Sequence, residues 1–255
     1  MLVNEIVPFS IVDGPGNRLV IFVQGCNLNC LYCHNFETIS LCIHCGKCID
    51  TCPSGALTMI DKKVVYNEEL CIDCDQCIFT CPYNSTPKAM EYTVNQIVNM
   101  VLSYQDFIDG ITFSGGECTT YHREIASVAK KLKEHNIEVL VDTNGYFDIN
   151  MIQDLIDNVA GFMIDIKTLN KTKELINMDM TNLENVNKLI AMNKVTELRT
   201  VDLGDEESRL TIAYIDELIK ANPSINRRIN KLAVVKQPEH RLTKLKEYQK
   251  NNPKI

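Results

Sequence analysis

Eleven of the twelve cysteines in this 255-residue chain lie between Cys26 and Cys81, and only Cys118 follows them. Crowding of that kind in a short secreted protein would indicate disulfides. Here the N-terminus, MLVNEIVPFSIVDGPG, has neither the basic region nor the apolar run of a secretory signal. No apolar stretch reaches the ~20 residues of a membrane-spanning helix. The chain therefore reads as soluble and cytoplasmic, and in a reducing compartment clustered cysteines point to metal rather than to a disulfide knot. The formal charge is −7 with no basic block, which disfavours nucleic acid, because phosphate binding needs concentrated positive charge.

The cysteines fall into two patterns. Cys26-Asn-Leu-Asn-Cys30-Leu-Tyr-Cys33 directly follows an apolar, β-branched run at 18–24. Four thiolates close a cubane iron–sulfur cluster as an electron carrier, whereas three leave one iron open to an exogenous ligand. A zinc site borrowing His34 is the bland alternative, but zinc knuckles use paired CxxC units.

The second pattern is a repeat. Cys42, Cys45, Cys48 and Cys52-Pro53 recur 29 residues later as Cys71, Cys74, Cys77 and Cys81-Pro82. Each half is the bacterial two-cluster ferredoxin run, whose fourth cysteine ligates the other cluster. The expected ligand sets are Cys42, Cys45, Cys48 and Cys81 for one [4Fe–4S] cluster, and Cys71, Cys74, Cys77 and Cys52 for the other. Neither leaves an open iron, so electron transfer is the natural role.

After Pro87 helical and strand-like segments alternate. Helical spacing at 94–105, 124–134, 151–158, 183–192 and 214–221 precedes strands at 110–113, 137–141, 161–166, 197–201 and 229–235, and a last helix is expected at 242–249. With the strand at 18–24 this gives six βα-type strands, hence a parallel sheet. Ligands of such sheets bind where the strands end. The predicted architecture is α/β: a main domain of residues 1–37 and 88–255, with a ferredoxin-like insert at 38–87.

Motifs sit at those strand ends. Ser114-Gly115-Gly116-Glu117 closes the second strand; its glycines permit close backbone approach, and a plain βα turn is the alternative. Asp142-Thr143-Asn144-Gly145 closes the third, and Met163-Ile-Asp165-Ile-Lys167 the fourth. A structural ion pair of Asp165 and Lys167 is the plain reading of the last, since a buried carboxylate needs a partner. Upstream lies Val12-Asp13-Gly14-Pro15-Gly16-Asn17-Arg18, by itself a tight turn. Phe22-Val-Gln-Gly25 and Tyr32-Cys33-His34-Asn35 follow.

Taken together, the three-cysteine loop and the GGE motif resemble the radical S-adenosylmethionine (SAM) superfamily. The additional VDGPG, YCHN, DTNG and MxDxK segments resemble its glycyl-radical-enzyme activases, exemplified by pyruvate formate-lyase activase. The ferredoxin insert is similar to that of the YjjW-type members. The resemblance implies a partial (β/α)6 radical SAM barrel and an oxidoreductase that reductively cleaves SAM at a [4Fe–4S] cluster on Cys26, Cys30 and Cys33. The resulting 5′-deoxyadenosyl radical would abstract hydrogen from a glycine of a partner enzyme. It further implies SAM contacts at Asn35, Gly115, Gly116, Glu117, Asp142 and Lys167, and a monovalent cation (Na+ or K+) at Asp142, Thr143, Met163 and Asp165. The target peptide would lie at Asp13 and Gly14, and His34 beside the cluster. Three [4Fe–4S] clusters, a flavodoxin or ferredoxin donor, a monomeric state and an anaerobic setting follow in the same way.

The C-terminal third departs from that pattern. Many activases have a proline–glycine pair after the fifth strand and a histidine after the sixth. Here the corresponding stretches are Arg199-Thr-Val-Asp-Leu-Gly-Asp-Glu206 and Leu232-Ala-Val-Val-Lys-Gln237, with His240 off position. Arg199 is a candidate near substrate or for a salt bridge, and Cys118 reads as a small buried residue. Two rivals remain: radical SAM chemistry on another substrate, and a non-catalytic iron–sulfur electron carrier.

Overall fold

The computed structural model describes residues 1–232 and 237–254. Ten strands are present among them: β1 (Leu2–Ser10), β2 (Arg18–Val23), β3 (Leu57–Ile60), β4 (Lys63–Tyr66), β5 (Met90–Glu91), β6 (Gly110–Gly115), β7 (Glu138–Thr143), β8 (Gly161–Asp165), β9 (Val195–Asp202) and β10 (Asn226–Lys231). Eight of them form one sheet in the order β10-β9-β8-β7-β6-β2-β1-β5. From β2 to β10 every neighbouring pair is parallel. The α/β sheet expected from the alternation of segments is thus present.

Side-chain alternation along the strands makes two environments. Ile111 and Phe113 of β6, Val139 and Val141 of β7, and Phe162 and Ile164 of β8 join a core with the flanking helices. The intervening Ser114, Asp142 and Asp165 turn to the opposite face, where a cavity opens. The sequence periodicity therefore placed both the core and the polar groups of the site.

Three parts differ from the sequence expectation. β1 was not foreseen as a strand, because Asn4, Glu5 and Pro8 break its pattern. It runs antiparallel to β2, and β5 pairs only with its Leu2 and Val3, so Pro8 lies where the outer edge is free and no ladder donor is missed. The helix expected at 214–221 begins eight residues earlier, at Glu206–Ala221, because Asp205 caps it by accepting from the Ser208 amide. The strand expected at 229–235 is observed as Asn226–Lys231, and residues 233–236, within the stretch 232–237 compared with the activase pattern, lie outside those described.

Arg18 plugs the base of the sheet. It is 1% exposed and has no acidic hydrogen-bond partner; its guanidinium donates to Thr112 Oγ1 (2.9 Å) and to the carbonyls of Pro15 (3.2 Å), Ile111 (2.6 Å) and Glu138 (3.2 Å). Burial lowers its pKa to about 10. The same side chain explains Gly14, whose φ is +119° and where a Cβ would meet Arg18 Cδ and Leu140 Cδ1 at 2.9 Å. Arg18→Met would leave four acceptors without a donor, so a loss of about 3 kcal/mol is expected. Thermal unfolding followed by circular dichroism should show Tm lowered by roughly 10 °C; an unchanged Tm would refute the plug role.

Residues 38–87 carry the β3–β4 hairpin, a short helix (Gln76–Thr80) and a small core of Cys48, Leu57, Val64 and Cys77. They are anchored to the sheet domain by Gly25 N donating to Thr38 O (2.8 Å), Cys26 N to Ile39 O (2.8 Å) and Gln24 Nε2 to Ser40 O (2.6 Å). All twelve cysteines are free thiols.

Candidate active site

A cavity of about 500 Å³ opens at the ends of the parallel strands, a volume in the range of small-molecule sites. Cys26, Cys30 and Cys33 line one wall, with His34 and Asn35 beside them. Asp142, Asp165 and Lys167 line it as well, and Asp13 of the β1–β2 loop is also part of the lining.

The three-cysteine loop is held from four directions. Leu31 N donates to Leu175 O (2.9 Å), Asn27 Nδ2 to Tyr146 O (2.6 Å), and Gln237 Nε2 to Cys33 O (3.0 Å). Arg241, from the C-terminal helix Glu239–Asn251, donates to Cys30 O (2.6 Å) and Asn29 Oδ1 (3.2 Å). Its guanidinium also stacks 5.7 Å from the Phe36 ring. The Leu28 amide points at Cys26 Sγ (3.4 Å), as the short residues between the thiols permit. Burial pushes the pKa of both Cys26 and Cys30 up to about 12. In the cluster-free protein these thiols are neutral, and metal binding would displace their protons.

Opposite the thiols lies a charged network. Lys167 Nζ donates to Asp165 Oδ2 (2.7 Å), and the Tyr32 hydroxyl donates to Lys167 O (3.0 Å). Burial works against the Lys167 ammonium, but Asp165 overrides it and holds the pKa well above the usual value. Arg199 Nη1 donates to Asp142 Oδ2 (2.9 Å), and the same oxygen accepts from Ser114 Oγ (2.9 Å). Arg199 also pairs with Glu197, which in turn meets Arg228 Nε (3.1 Å). Burial raises the Asp142 pKa to about 6 against the opposing pull of Arg199. Its other oxygen, Oδ1, is buried without a partner among the described residues. Asp142 lines the cavity, and a buried carboxylate oxygen without a donor leaves room for a further cationic or hydrogen-bond-donating partner.

Several sequence expectations are refined. Glu117 does not line the cavity. Its side chain is fully buried, and its Oε1 accepts from Thr119 N (3.0 Å), Thr119 Oγ1 (2.6 Å) and Thr143 Oγ1 (2.7 Å), while Oε2 accepts from Asn144 N (2.8 Å). Its side chain joins the 114–117 and 142–145 loops. Gly115 and Gly116 do line the cavity, but their want of a side chain has an internal cause as well. A Cβ on Gly115 would lie 2.4 Å from Val23 N, and one on Gly116 2.1 Å from Gly25 O. Met163 is fully buried, with its sulfur 3.0 Å from Arg199 Nη2. Gly14 is absent from the lining although Asp13 is in it. His240 points to Asn84 Oδ1 (3.1 Å), in the 38–87 segment. Cys118 Sγ is buried against Asp142 O (3.1 Å).

Arg241, Gln237 and Asn144 were not singled out from sequence. Asn144 Nδ2 donates to Asn27 Oδ1 (2.8 Å) and lies 3.8 Å from Cys26 Sγ. The DTNG motif contained that residue. Nothing in the polar C-terminal helix distinguished Arg241.

In the 38–87 segment, two further cavities are lined by cysteines. Cys42, Cys45, Cys48 and Cys81 line one, with Cys77 also reaching it; Cys52, Cys71, Cys74 and Cys77 line the other. Among the described residues, no three His, Cys, Asp or Glu side chains are close enough to hold a single metal ion. No helix among them is long and apolar enough to cross a membrane.

A three-thiol loop after the first parallel strand faces an acidic and basic network at the ends of the next strands. Residues 20–203 match the model of the Radical SAM superfamily, and the chain belongs to that superfamily. Among curated relatives, it is 30% identical to the trans-4-hydroxy-L-proline dehydratase activating enzyme of Clostridioides difficile, covering 96% of this chain and 86% of that protein. It is 27% identical to the choline trimethylamine-lyase activating enzyme of Oleidesulfovibrio alaskensis, over 84% of this chain and 77% of that one. Among solved structures, Streptococcus suis SuiB bound to S-adenosylmethionine superposes with a TM-score of 0.54 at 14% identity, covering 92% of this chain and 50% of SuiB, a likeness of fold.

Proposed function

We propose that this chain is a glycyl-radical-enzyme activase whose Cys26, Cys30 and Cys33 hold a [4Fe–4S] cluster with SAM bound beside it. The observation that carries the reading is a single cavity in which three thiols face the Lys167–Asp165 pair while the Asp13 loop lines the same space. The activating enzymes among its relatives support the class. When bound, the cluster and SAM supply one-electron cleavage to a 5′-deoxyadenosyl radical that takes a hydrogen atom from a partner's glycine α-carbon.

The chain's own residues bind and orient. Lys167 exchanges Asp165 for the SAM carboxylate, so the buried ammonium keeps an anionic partner throughout. The backbone of Gly115 and Gly116 would bind the amino group of SAM, and Asn35 would add a further contact to it. A monovalent cation would rest on the unpaired Asp142 Oδ1, on Asp165 and on the backbone at Thr143 and Met163, because the Thr143 hydroxyl is engaged by Glu117. Asp13 holds the target glycine segment from a loop fixed by Thr112 Oγ1 donating to Asp13 O (2.6 Å) and Ser10 Oγ donating to Asp13 Oδ2 (2.6 Å).

Residues 38–87 form a ferredoxin-like insert of the YjjW type, with one closed cluster on Cys42, Cys45, Cys48 and Cys81 and another on Cys52, Cys71, Cys74 and Cys77. The two cysteine-lined cavities support that crossed pairing. A flavodoxin or ferredoxin would serve as donor to a monomeric, cytoplasmic enzyme.

The test is anaerobic incubation of the reconstituted protein with SAM, dithionite and a glycyl radical enzyme from the same genome. A glycyl radical doublet by electron paramagnetic resonance (EPR) is expected. Formation of 5′-deoxyadenosine without that doublet, across every glycyl radical enzyme of the genome, would reject the activase reading while keeping SAM cleavage.

A further inference from the structure

The strand at one edge of the sheet, β10, reaches across to the loop that follows β1, near the other edge. Its Arg228 donates from Nη1 to the Val12 carbonyl. Val12 precedes Asp13, which lines the cavity together with the three cysteines. In the parallel ladder Arg228 stands opposite Arg199 of β9. Two arginines so placed repel each other unless a carboxylate lies between them. Glu197, two residues before Arg199 and so on the same face of β9, supplies that carboxylate. Its Oε1 accepts from Arg199 Nε and lies 3.1 Å from Arg228 Nε.

The row continues into the cavity wall. Arg199 Nη1 holds Asp142 Oδ2 (2.9 Å), and Asp142, Arg199 and Asn230 of β10 all line the cavity. Asp142, Arg199, Glu197 and Arg228 thus alternate in charge from the cavity wall to the Val12 carbonyl. Stability does not account for the row, because buried ion pairs add little net stability over apolar residues of similar size. Nor is it needed for register, since β9 and β10 are already paired along six residues of backbone.

The β1–β2 loop shows what the row can do. From residue 13 onward the loop is fastened on the β2 and β6 side. Thr112 Oγ1 donates to Asp13 O (2.6 Å), Arg18 Nη1 to Pro15 O (3.2 Å), and Asn17 N to Asp109 Oδ2 (2.7 Å). Ile11 and Val12 at the tip are 80% and 57% exposed, so little packing holds them. The Val12 amide does reach Ser10 Oγ (3.3 Å), but that contact lies within the turn itself. From the β10 side, the hold among the described residues is Arg228, and it sets where the tip stands relative to the cavity.

We infer that Arg228, oriented by Glu197, is a positioning residue for the protein substrate, fixing residues 11–13 so that Asp13 meets the segment that carries the target glycine. The inference rests on the activase reading proposed above and extends it to two residues outside the cavity lining. Arg228 acts through the loop and contacts no reacting group. Its guanidinium gives one N–H to the loop and one to Glu197, a fork that the point charge of a lysine does not reproduce.

The test is the initial rate of glycyl radical formation by the reconstituted protein, followed by EPR, against the concentration of an intact glycyl radical enzyme from the same genome. Arg228→Gln should raise KM for that protein about tenfold while kcat stays within about twofold, the pattern of lost substrate binding. Formation of 5′-deoxyadenosine without the partner should stay at the wild-type rate, because Asp142 keeps both Arg199 and Ser114. Arg228→Lys should recover only part of the affinity. Glu197→Gln leaves the two arginines to repel each other and should raise KM as well. The double variant should be no worse than Arg228→Gln alone, since both substitutions act through one contact. Arg228 is partly exposed, so its loss should lower Tm by no more than about 4 °C. An unchanged KM in Arg228→Gln, or KM effects that multiply in the double variant, would overturn the inference. So would a much lower Tm with partner-free SAM cleavage and kcat falling as far as the affinity, which is the outcome of a merely structural role. Wild-type protein that forms no glycyl radical on any partner would reject the activase reading itself, and the role of Arg228 with it.

Discussion

Cys30→Ala is expected to abolish SAM cleavage, with 5′-deoxyadenosine and methionine falling at least a thousandfold below wild type, while the fold persists. The two effects separate for a structural reason. The loop is anchored at Cys30 through its carbonyl, which accepts from Arg241, and alanine keeps that carbonyl. The Cys30 thiol is buried and neutral without metal, its pKa raised to about 12, so the substitution removes no charge and one sulfur's packing. A stability loss of only about 1 kcal/mol is therefore expected. On the proposed three-cluster reading, two thiols cannot hold the loop's cluster, and iron content should drop by about a third, from about twelve to about eight per chain. Anaerobic reconstitution, iron and sulfide determination, and chromatography of the nucleoside product make the measurement. Near-wild-type product from Cys30→Ala would mean that the three-thiol loop is not where SAM is cleaved. Loss of product with all twelve irons retained would move the Cys30 role from ligation to positioning.

Legibility from sequence followed the length scale of the interaction. The cysteine spacing, the strand-end motifs and the parallel sheet are local or periodic, and each was readable. Alternation placed Ser114, Asp142 and Asp165 on the face opposite Phe113, Val141 and Ile164, which is why strand-end acidic residues gather in one cavity. What sequence did not give depends on distant pairs. Arg241 reaches Cys30 across 211 positions, and Arg228 reaches the Val12 carbonyl across 216. Neither contact has a local signature, since each donor sits in a polar segment where an arginine reads as surface. β1 failed for a different reason: its tolerance of Pro8 depends on how short β5 is, a property of another strand. Glu117 is legible as part of a motif, but its side-chain partners Thr119, Thr143 and Asn144 are not. A GGE tripeptide shows that a backbone comes close to something, and only the structure identifies that neighbour as Val23 and Gly25.

Glu117→Ala should be strongly destabilising, and it should weaken SAM binding through the loops that the carboxylate joins. The four groups that meet the Glu117 carboxylate all donate: two from Thr119, one from Thr143 and the amide of Asn144. Burial alone pushes its pKa up and favours the neutral acid, but a set made only of donors is satisfied by the anion. Truncation strands these donors in a water-free site, with a cost of about 3 to 5 kcal/mol. For a chain of this size that corresponds to a Tm lowered by roughly 10 to 15 °C in thermal unfolding. Glu117→Gln separates charge from shape. It keeps one acceptor oxygen for Thr119 and Thr143 but turns an amide group toward Asn144 N, donor against donor, so about half of that loss is expected. Because Asn144 also bonds Asn27 in the cysteine loop, release of the 142–145 segment should loosen both sides of the cavity. SAM affinity in the Gln variant, measured by equilibrium binding to the reconstituted protein, should fall about tenfold while iron content stays at the wild-type level. A Gln variant with wild-type affinity and Tm would show that the carboxylate is dispensable as a brace, and the GGE motif would then owe its form to the close packing of Gly115 and Gly116 alone.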